Sequence, residues 1–198
     1  MSEDHALVLR RRIATLETLD GLLNTLAGVL DIRQVFDRVS EIAQKVLPHD
    51  ALSIAESIDE GKKVRVHASH GLGDLPEPFD YPALDPTMTT DPWEFKIIED
   101  APNHPQFSKH PGTAAGMRSM MFVSIRFDGQ LFGGLNFYSR TPGRFVRDDV
   151  LVARRITDHV ALALSHARLA EEAVEEDGRP LERDQRGLSL DSPAHRST

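Results

Sequence analysis

The run RSMMFVSIRF-DG-QLFGGLNFYS, from Arg118 to Ser139, most narrows what this chain can fold into. Asp128-Gly129 is a strong hairpin signal, because a two-residue hairpin turn needs positive φ at its centre. The flanking residues are rich in β-branched and aromatic side chains, which predicts two antiparallel strands. Neither strand alternates cleanly between apolar and polar, as expected of central strands covered on both faces. Gly133 and Gly134 thin the sheet locally, so that a helix or a ligand can approach it closely.

A second hairpin is predicted upstream, where ALSIAESI and KVRVHAS flank the turn residues Asp59-Glu60-Gly61. Before it, the apolar period is helical. Ile32, Val35, Phe36, Val39, Ile42, Ala43 and Val46 share one helix face, and Pro48 ends the run. Asp31 is the expected N-cap, with Gln34 placed to reach back as in a capping box. Further upstream, Leu9, Ile13, Leu16, Leu19, Leu23, Leu26 and Leu30 recur in steps of three and four. That pattern fits either a dimerising coiled-coil seam or an amphipathic helix lying on its own domain.

Between the two hairpins lie Pro76, Pro78, Pro82, Pro86, Pro92, Pro102, Pro105 and Pro111. Proline at this density excludes continuous helix or central strand, since it removes backbone donors and fixes φ. Short extended pieces are expected near Phe79 to Leu84 and Glu94 to Ile98. A connection this long inside a compact domain is seldom idle. Downstream, Thr141-Pro142-Gly143 reads as a turn. Asp148 and Asp149 favour the start of a helix predicted from about Arg147 to Glu176, with Ala153, Ile156, Val160, Ala163, Ala167 and Ala170 along it. Beyond Asp177 the sequence is almost without apolar residues, which predicts a disordered tail.

Bulk properties remove whole classes of function. The chain has 198 residues, a hydrophobic fraction of 40% and a net charge of -8. That length suits one domain with helical extensions. The acidic balance argues against a nucleic-acid surface, which needs concentrated Lys and Arg. No stretch approaches the roughly 20 apolar residues of a membrane span, and the N-terminus MSEDHALVLRRR lacks the apolar core of a signal peptide. A cytoplasmic address is expected. There is no cysteine, so disulfides, thiolate metal sites and thiol nucleophiles are excluded.

The string from Arg118 through RTPGRFVRDDVLVARRITDHVALALSHARLAEEA resembles the C-terminal half of a GAF domain. Its marks are a Ser-led strand, the Asp-Gly hairpin, Gly-x-Leu-Asn, and a Phe with acids opening the last helix. LLNTLAGVLDIRQVFDRVSEIAQKVLPHDALSI resembles the N-terminal half. The resemblance spans residues 16–172, leaving 1–15 as part of a dimerisation helix and 173–198 as the helix end and tail. It implies an α+β fold related to PAS domains, a six-stranded antiparallel sheet with the terminal helices on one face and a loop-roofed pocket on the other. It also implies a regulatory sensor of bacterial signal transduction, in two-component or transcription regulators, dimeric through its terminal helices. Relatives that bind cyclic nucleotides carry Asn-Lys, Phe and Asp-Glu. Here Phe137 follows Asn136, and only Phe145, Asp148 and Asp149 echo the rest. Asn136 is therefore read as fixing a strand end, Phe145 as plugging the core. Covalent bilin attachment and methionine sulfoxide reduction in relatives both require cysteine.

For a small organic ligand, the loops offer Trp93, Phe95, Phe107 and Met117, and the adjoining strand Ser119, Met121 and Phe122. Apolar walls with a few polar groups are what such pockets need. The same residues could instead roof the sheet and fill the space with protein. Arg118 is placed to meet an anionic ligand, or equally Asp100. His104 and His110, near Asp91, Glu99 and Asp100, are candidate metal ligands, yet their spacing matches no known ligand pattern. No phosphate loop and no Gly-x-Ser-x-Gly elbow is present. The expectation is a non-enzymatic sensor of an unidentified ligand, acting on an output domain or partner protein. A structural dimerisation module with a filled pocket is the alternative. The sequence names no cofactor.

Overall fold

A computed structural model describes residues 32–85, 94–127 and 129–177. The leucine-rich segment before Ile32, the Asp31 cap, Asp91, Trp93, Asp128 and the tail after Asp177 lie outside the described residues. Helix α1 (Ile32–Val46) leads into strands β1 (Ala51–Ile58), β2 (Lys63–His70), β3 (Phe79–Pro82) and β4 (Phe95–Ile98). Two single turns of 3₁₀ helix follow, at Ala101–Asn103 and Phe107–Lys109, then a one-turn helix α2 (Pro111–Ala114). Strands β5 (Ser119–Phe127) and β6 (Gln130–Ser139) and the long helix α3 (Asp149–Asp177) complete the order.

The strands form one six-stranded sheet in the order β3-β2-β1-β6-β5-β4, and every pairing is antiparallel. The two hairpins thus sit side by side, joined through β1 and β6. Gly129 closes the second hairpin at φ 78°. The first turn runs through positive φ at Asp59, Glu60 and Gly61. Glycine has no steric penalty there, and aspartate tolerates the left-handed region better than most residues.

Helices α1 and α3 cover one face. From α1 come Val35, Phe36, Val39, Ile42 and Ala43, and from α3 Ala153, Ile156, Val160 and Ala163. They meet Leu52, Ile54, Val123, Ile125, Leu135 and Phe137 of the sheet. Phe145, 2% exposed, plugs this layer from the loop before α3. Asp149 secures the entry to α3 by accepting a hydrogen bond from the Val146 amide at 2.9 Å.

The opposite face carries its own core of Ala51, Leu72, Ile98, Ala101, Phe107, Met117, Met120, Phe122 and Tyr138. Proline confined the long segment to single turns rather than preventing helix altogether, and those turns supply this second layer. Backbone bonds from Ala101 to the Arg118 carbonyl (2.7 Å) and from Arg118 to the Ser139 carbonyl (2.7 Å) fasten the layer to the ends of β5 and β6.

Gly133 is needed by the sheet itself. A Cβ there would lie 1.9 Å from the Ala55 carbonyl oxygen on β1, so the close approach is made by a neighbouring strand. Gly133→Ala should destabilise the chain by about 2 kcal/mol or more, because the clash is with backbone that cannot turn away. Urea unfolding measures this, and an unchanged midpoint would refute the steric account.

Candidate functional site

Under the second layer the sheet leaves a cleft of about 530 Å³ with its open mouth included. Ala55, Ser57, Gly133, Gly134 and Asn136 of β1 and β6 form its floor. Val64 and Tyr81 stand on one side, with Ala83, Leu84 and Asp85 just after β3, and Phe107, His110 and Phe122 on the other. The space exists because small residues occupy the floor where larger ones fill the rest of the sheet. Most of the lining is apolar, with a few polar groups converging, as is usual for a small-molecule site.

His110 organises the roof. It is 3% exposed and its ring sits against Phe107, Phe122, Tyr138 and Tyr81, with centroids 5.5 to 5.9 Å away. Its Nδ1 accepts the Gly112 amide at 3.0 Å, capping α2. An accepting Nδ1 carries no proton, so the neutral ring holds its proton on Nε2. That Nε2–H donates to the Tyr81 hydroxyl at 3.2 Å. Burial pushes the His110 pKa down to about 4, since charging the ring would cost solvation that nothing nearby replaces. Gly112 lets α2 lie against Tyr138, because a Cβ there would come within 3.0 Å of that ring.

Beneath it, Tyr138 and Ser53 hydroxyls share a hydrogen bond at 3.0 Å, and Asn136 donates from Nδ2 to the Ser53 oxygen at 3.2 Å. Burial raises the Tyr138 pKa to about 12 and drives that of Tyr81 well above its ordinary value. Asn136 therefore lies within β6 as a cross-strand contact, and not at a strand end as the sequence suggested. At the rim the Lys96 ammonium forms an ion pair with Asp85, whose side chain is 4% exposed, and lies 5.5 Å from the centre of the Phe107 ring.

Of the residues singled out in the sequence, Phe107 and Phe122 line the cleft. Met117 is fully buried in the layer that roofs it. Met121 belongs instead to the helix-side core, and Phe95 packs against that core. Phe95 also lines a second groove, where the Arg147 guanidinium lies 5.8 Å from its ring. These two correct the sequence reading, and strand geometry gives the reason: adjacent residues such as Met121 and Phe122 point to opposite faces. Arg118 grips Asp100 through Nε (3.0 Å) and a terminal nitrogen (2.8 Å). Asn103 and then Arg118 hold the Asp100 pKa below its ordinary value. Ser119 is buried, and its hydroxyl has no hydrogen-bond partner among the described residues. Trp93 lies outside them.

Tyr81, Asn136 and Ser57 were not anticipated as site residues, and His110 was considered only as a metal ligand. Both of its nitrogens are engaged by the protein, and His104 uses Nδ1 to accept the Gln106 amide at 3.2 Å. Among the described residues no group of three metal-ligating side chains occurs. The one local hint was His110 directly before Pro111, a cap position ahead of a first-turn proline.

The buried neutral histidine sets a pH dependence. Its folded-state pKa lies below the unfolded value near 6.5, so the unfolded chain binds more protons between those values. Stability should be complete above pH 6.5 and fall toward pH 4, by on the order of 3 kcal/mol from this group. His49, also lowered by burial, adds in the same direction. His110→Asn offers a capping oxygen in place of Nδ1 without the titration, and should flatten the slope of urea stability against pH. Equal slopes for both proteins would contradict a buried neutral ring.

The geometry has counterparts among solved structures. The GAF domain of a phosphoenolpyruvate-protein phosphotransferase from Coxiella burnetii is 20% identical with a TM-score of 0.64, over 80% of this chain and 96% of that one. The chromophore-binding domain of an unusual bacteriophytochrome from R. palustris gives 18% and 0.60, over 81% of this chain and 63% of that one. Residues 122 to 287 of a methyl-accepting chemotaxis protein give 18% and 0.61, over 76% and 98%. At these identities the likeness is one of fold. No curated protein matches the sequence. The family model described as GAF domain matches residues 29–165, and the chain belongs to that family.

Proposed function

We propose that this GAF domain is a regulatory sensor that binds a small organic ligand in the cleft and transmits its presence through its terminal helices to an output domain or partner. The observation that carries this reading is the placement of the cleft. It lies on the sheet face opposite α1 and α3, separated from them only by strands β1, β5 and β6. Sensory proteins among the fold's relatives, a bacteriophytochrome and a chemotaxis protein, support it. A ligand can bias helix pose only if it binds two arrangements with different affinity.

Transmission through a dimer is part of the same proposal. Leu151, Leu162 and Leu169 of α3 are 61%, 54% and 55% exposed. Their spacings are close to three and two whole helical turns, so they share one face. A second copy is the simplest cover for such a stripe. The alternative, a structural module whose pocket is filled, draws on the narrowness of the cleft and on Phe107, Met117, Met120 and Phe122 packing beside it.

A ligand at about 100 times its dissociation constant should stabilise the chain by about 2.7 kcal/mol, raising the melting temperature by roughly 5 to 10 °C. Screening nucleotides, amino acids, heterocyclic metabolites and metal ions by thermal shift measures this. Ser57→Phe, which adds a ring at the half-buried floor, should abolish the shift. No shift from any compound would favour the filled-pocket module. Separately, Leu162→Glu with Leu169→Glu should convert a dimer to a monomer in light scattering, whereas a surviving dimer would place the interface elsewhere.

A further inference from the structure

The charges around the cleft are already spoken for. Its described lining contains no lysine or arginine. The Lys96 ammonium at the rim is paired with Asp85. Of the two carboxylates in the lining, Glu56 turns its own to His67 at 2.7 Å. The His67 ring in turn stacks on Phe132 of the helix-side layer, at 6.3 Å between centroids. Glu56 therefore meets the cleft mainly through its backbone. An anion entering here would lose its water with no cation in the described lining to replace it.

The polar atoms left over are complementary. His110 Nε2–H donates to the Tyr81 oxygen, so the phenolic proton of Tyr81 remains available for a ligand acceptor. Asn136 spends its Nδ2 on Ser53, and its carbonyl oxygen has no partner among the described residues. A phenolic donor and an amide acceptor thus stand, with the Ser57 hydroxyl, in a largely apolar cleft walled by Phe107, Phe122 and Val64.

We infer that the cleft selects an uncharged, ring-sized ligand bearing both a hydrogen-bond acceptor and a donor, as in a lactam or an aromatic carboxamide, and rejects the matching anion. This rests on the sensor reading above and specifies its ligand class. The acceptor of the ligand meets Tyr81 O–H, and its N–H meets the Asn136 oxygen. Sites built to pair such groups discriminate strongly against analogues that leave them unpaired or bring in an uncompensated charge.

Nicotinamide and nicotinate form a suitable pair, sharing a ring and differing by a carboxamide against a carboxylate. Both are titrated at pH 7 into the full chain, with the backbone amides of Tyr81, Phe122 and Gly134 followed by NMR. Nicotinamide should bind at least about tenfold more tightly than nicotinate, and Tyr81→Phe should weaken nicotinamide by about fivefold or more, as loss of one hydrogen bond implies. Nicotinate binding equally well or better, or an unchanged nicotinamide affinity in Tyr81→Phe, would overturn the inference and leave the sensor reading intact. Binding of neither, alongside a cleft ligand found by thermal shift, would also overturn the inference alone. If neither binds and the thermal-shift screen is empty too, the sensor reading falls with it.

Discussion

Ser119 to Ile125 of β5 form seven consecutive buried positions, and the last seven residues of β6 are buried as well. Side chains on a strand alternate between faces, so a hairpin buried throughout its length must be sheathed on both sides. The remaining architecture answers that requirement. Helices α1 and α3 cover one face. The long connection between β3 and β5 folds back over the other. Removing either layer would expose a row of large apolar side chains, each contributing on the order of 2 kcal/mol by its burial.

The two covers differ in kind, and function follows from the difference. Helices pack by matching long apolar stripes and leave little space. The roof is assembled from single turns between prolines, with fewer apolar side chains to fill the sheet beneath. Where the floor is Ala55, Ser57, Gly133 and Gly134, the roof does not reach down, and a cleft remains. His110 holds that roof in place by capping α2, bonding Tyr81 and packing among aromatic rings. A histidine used in this way must stay neutral, so its ring does not draw an anion into the cleft.

In the proposed sensor, the strands shared by the cleft face and the helix face would couple the two. Phe122 lines the cleft, while its neighbours Met121 and Val123 pack under the helices. A change in how Phe122 sits is therefore felt one residue away on the helix side. Close packing makes such shifts discrete rather than gradual. The scaffold thus suits the proposed regulatory role.

Periodicity and turn chemistry alone fixed α1, both hairpins, the start of α3 and the need for two-sided cover, because these depend on residues close in sequence. The GAF resemblance rested on the same local strings. The pairing of β1 with β6, which joins the hairpins into one sheet, was not legible locally, since it brings together residues as distant in sequence as Ala51 and Tyr138. The cleft was legible only in part. Phe107 and Phe122 stood out as aromatic, but an unbroken apolar run such as SMMFV carries no phase to say which side chains face the helices, so Met121 and Phe95 were assigned to the wrong side. Tyr81, His110 and Asn136 became a site only when chain folding brought them together. Their chemistry lies in who donates to whom and how deeply each is buried, which are properties of packing that no single stretch of sequence contains.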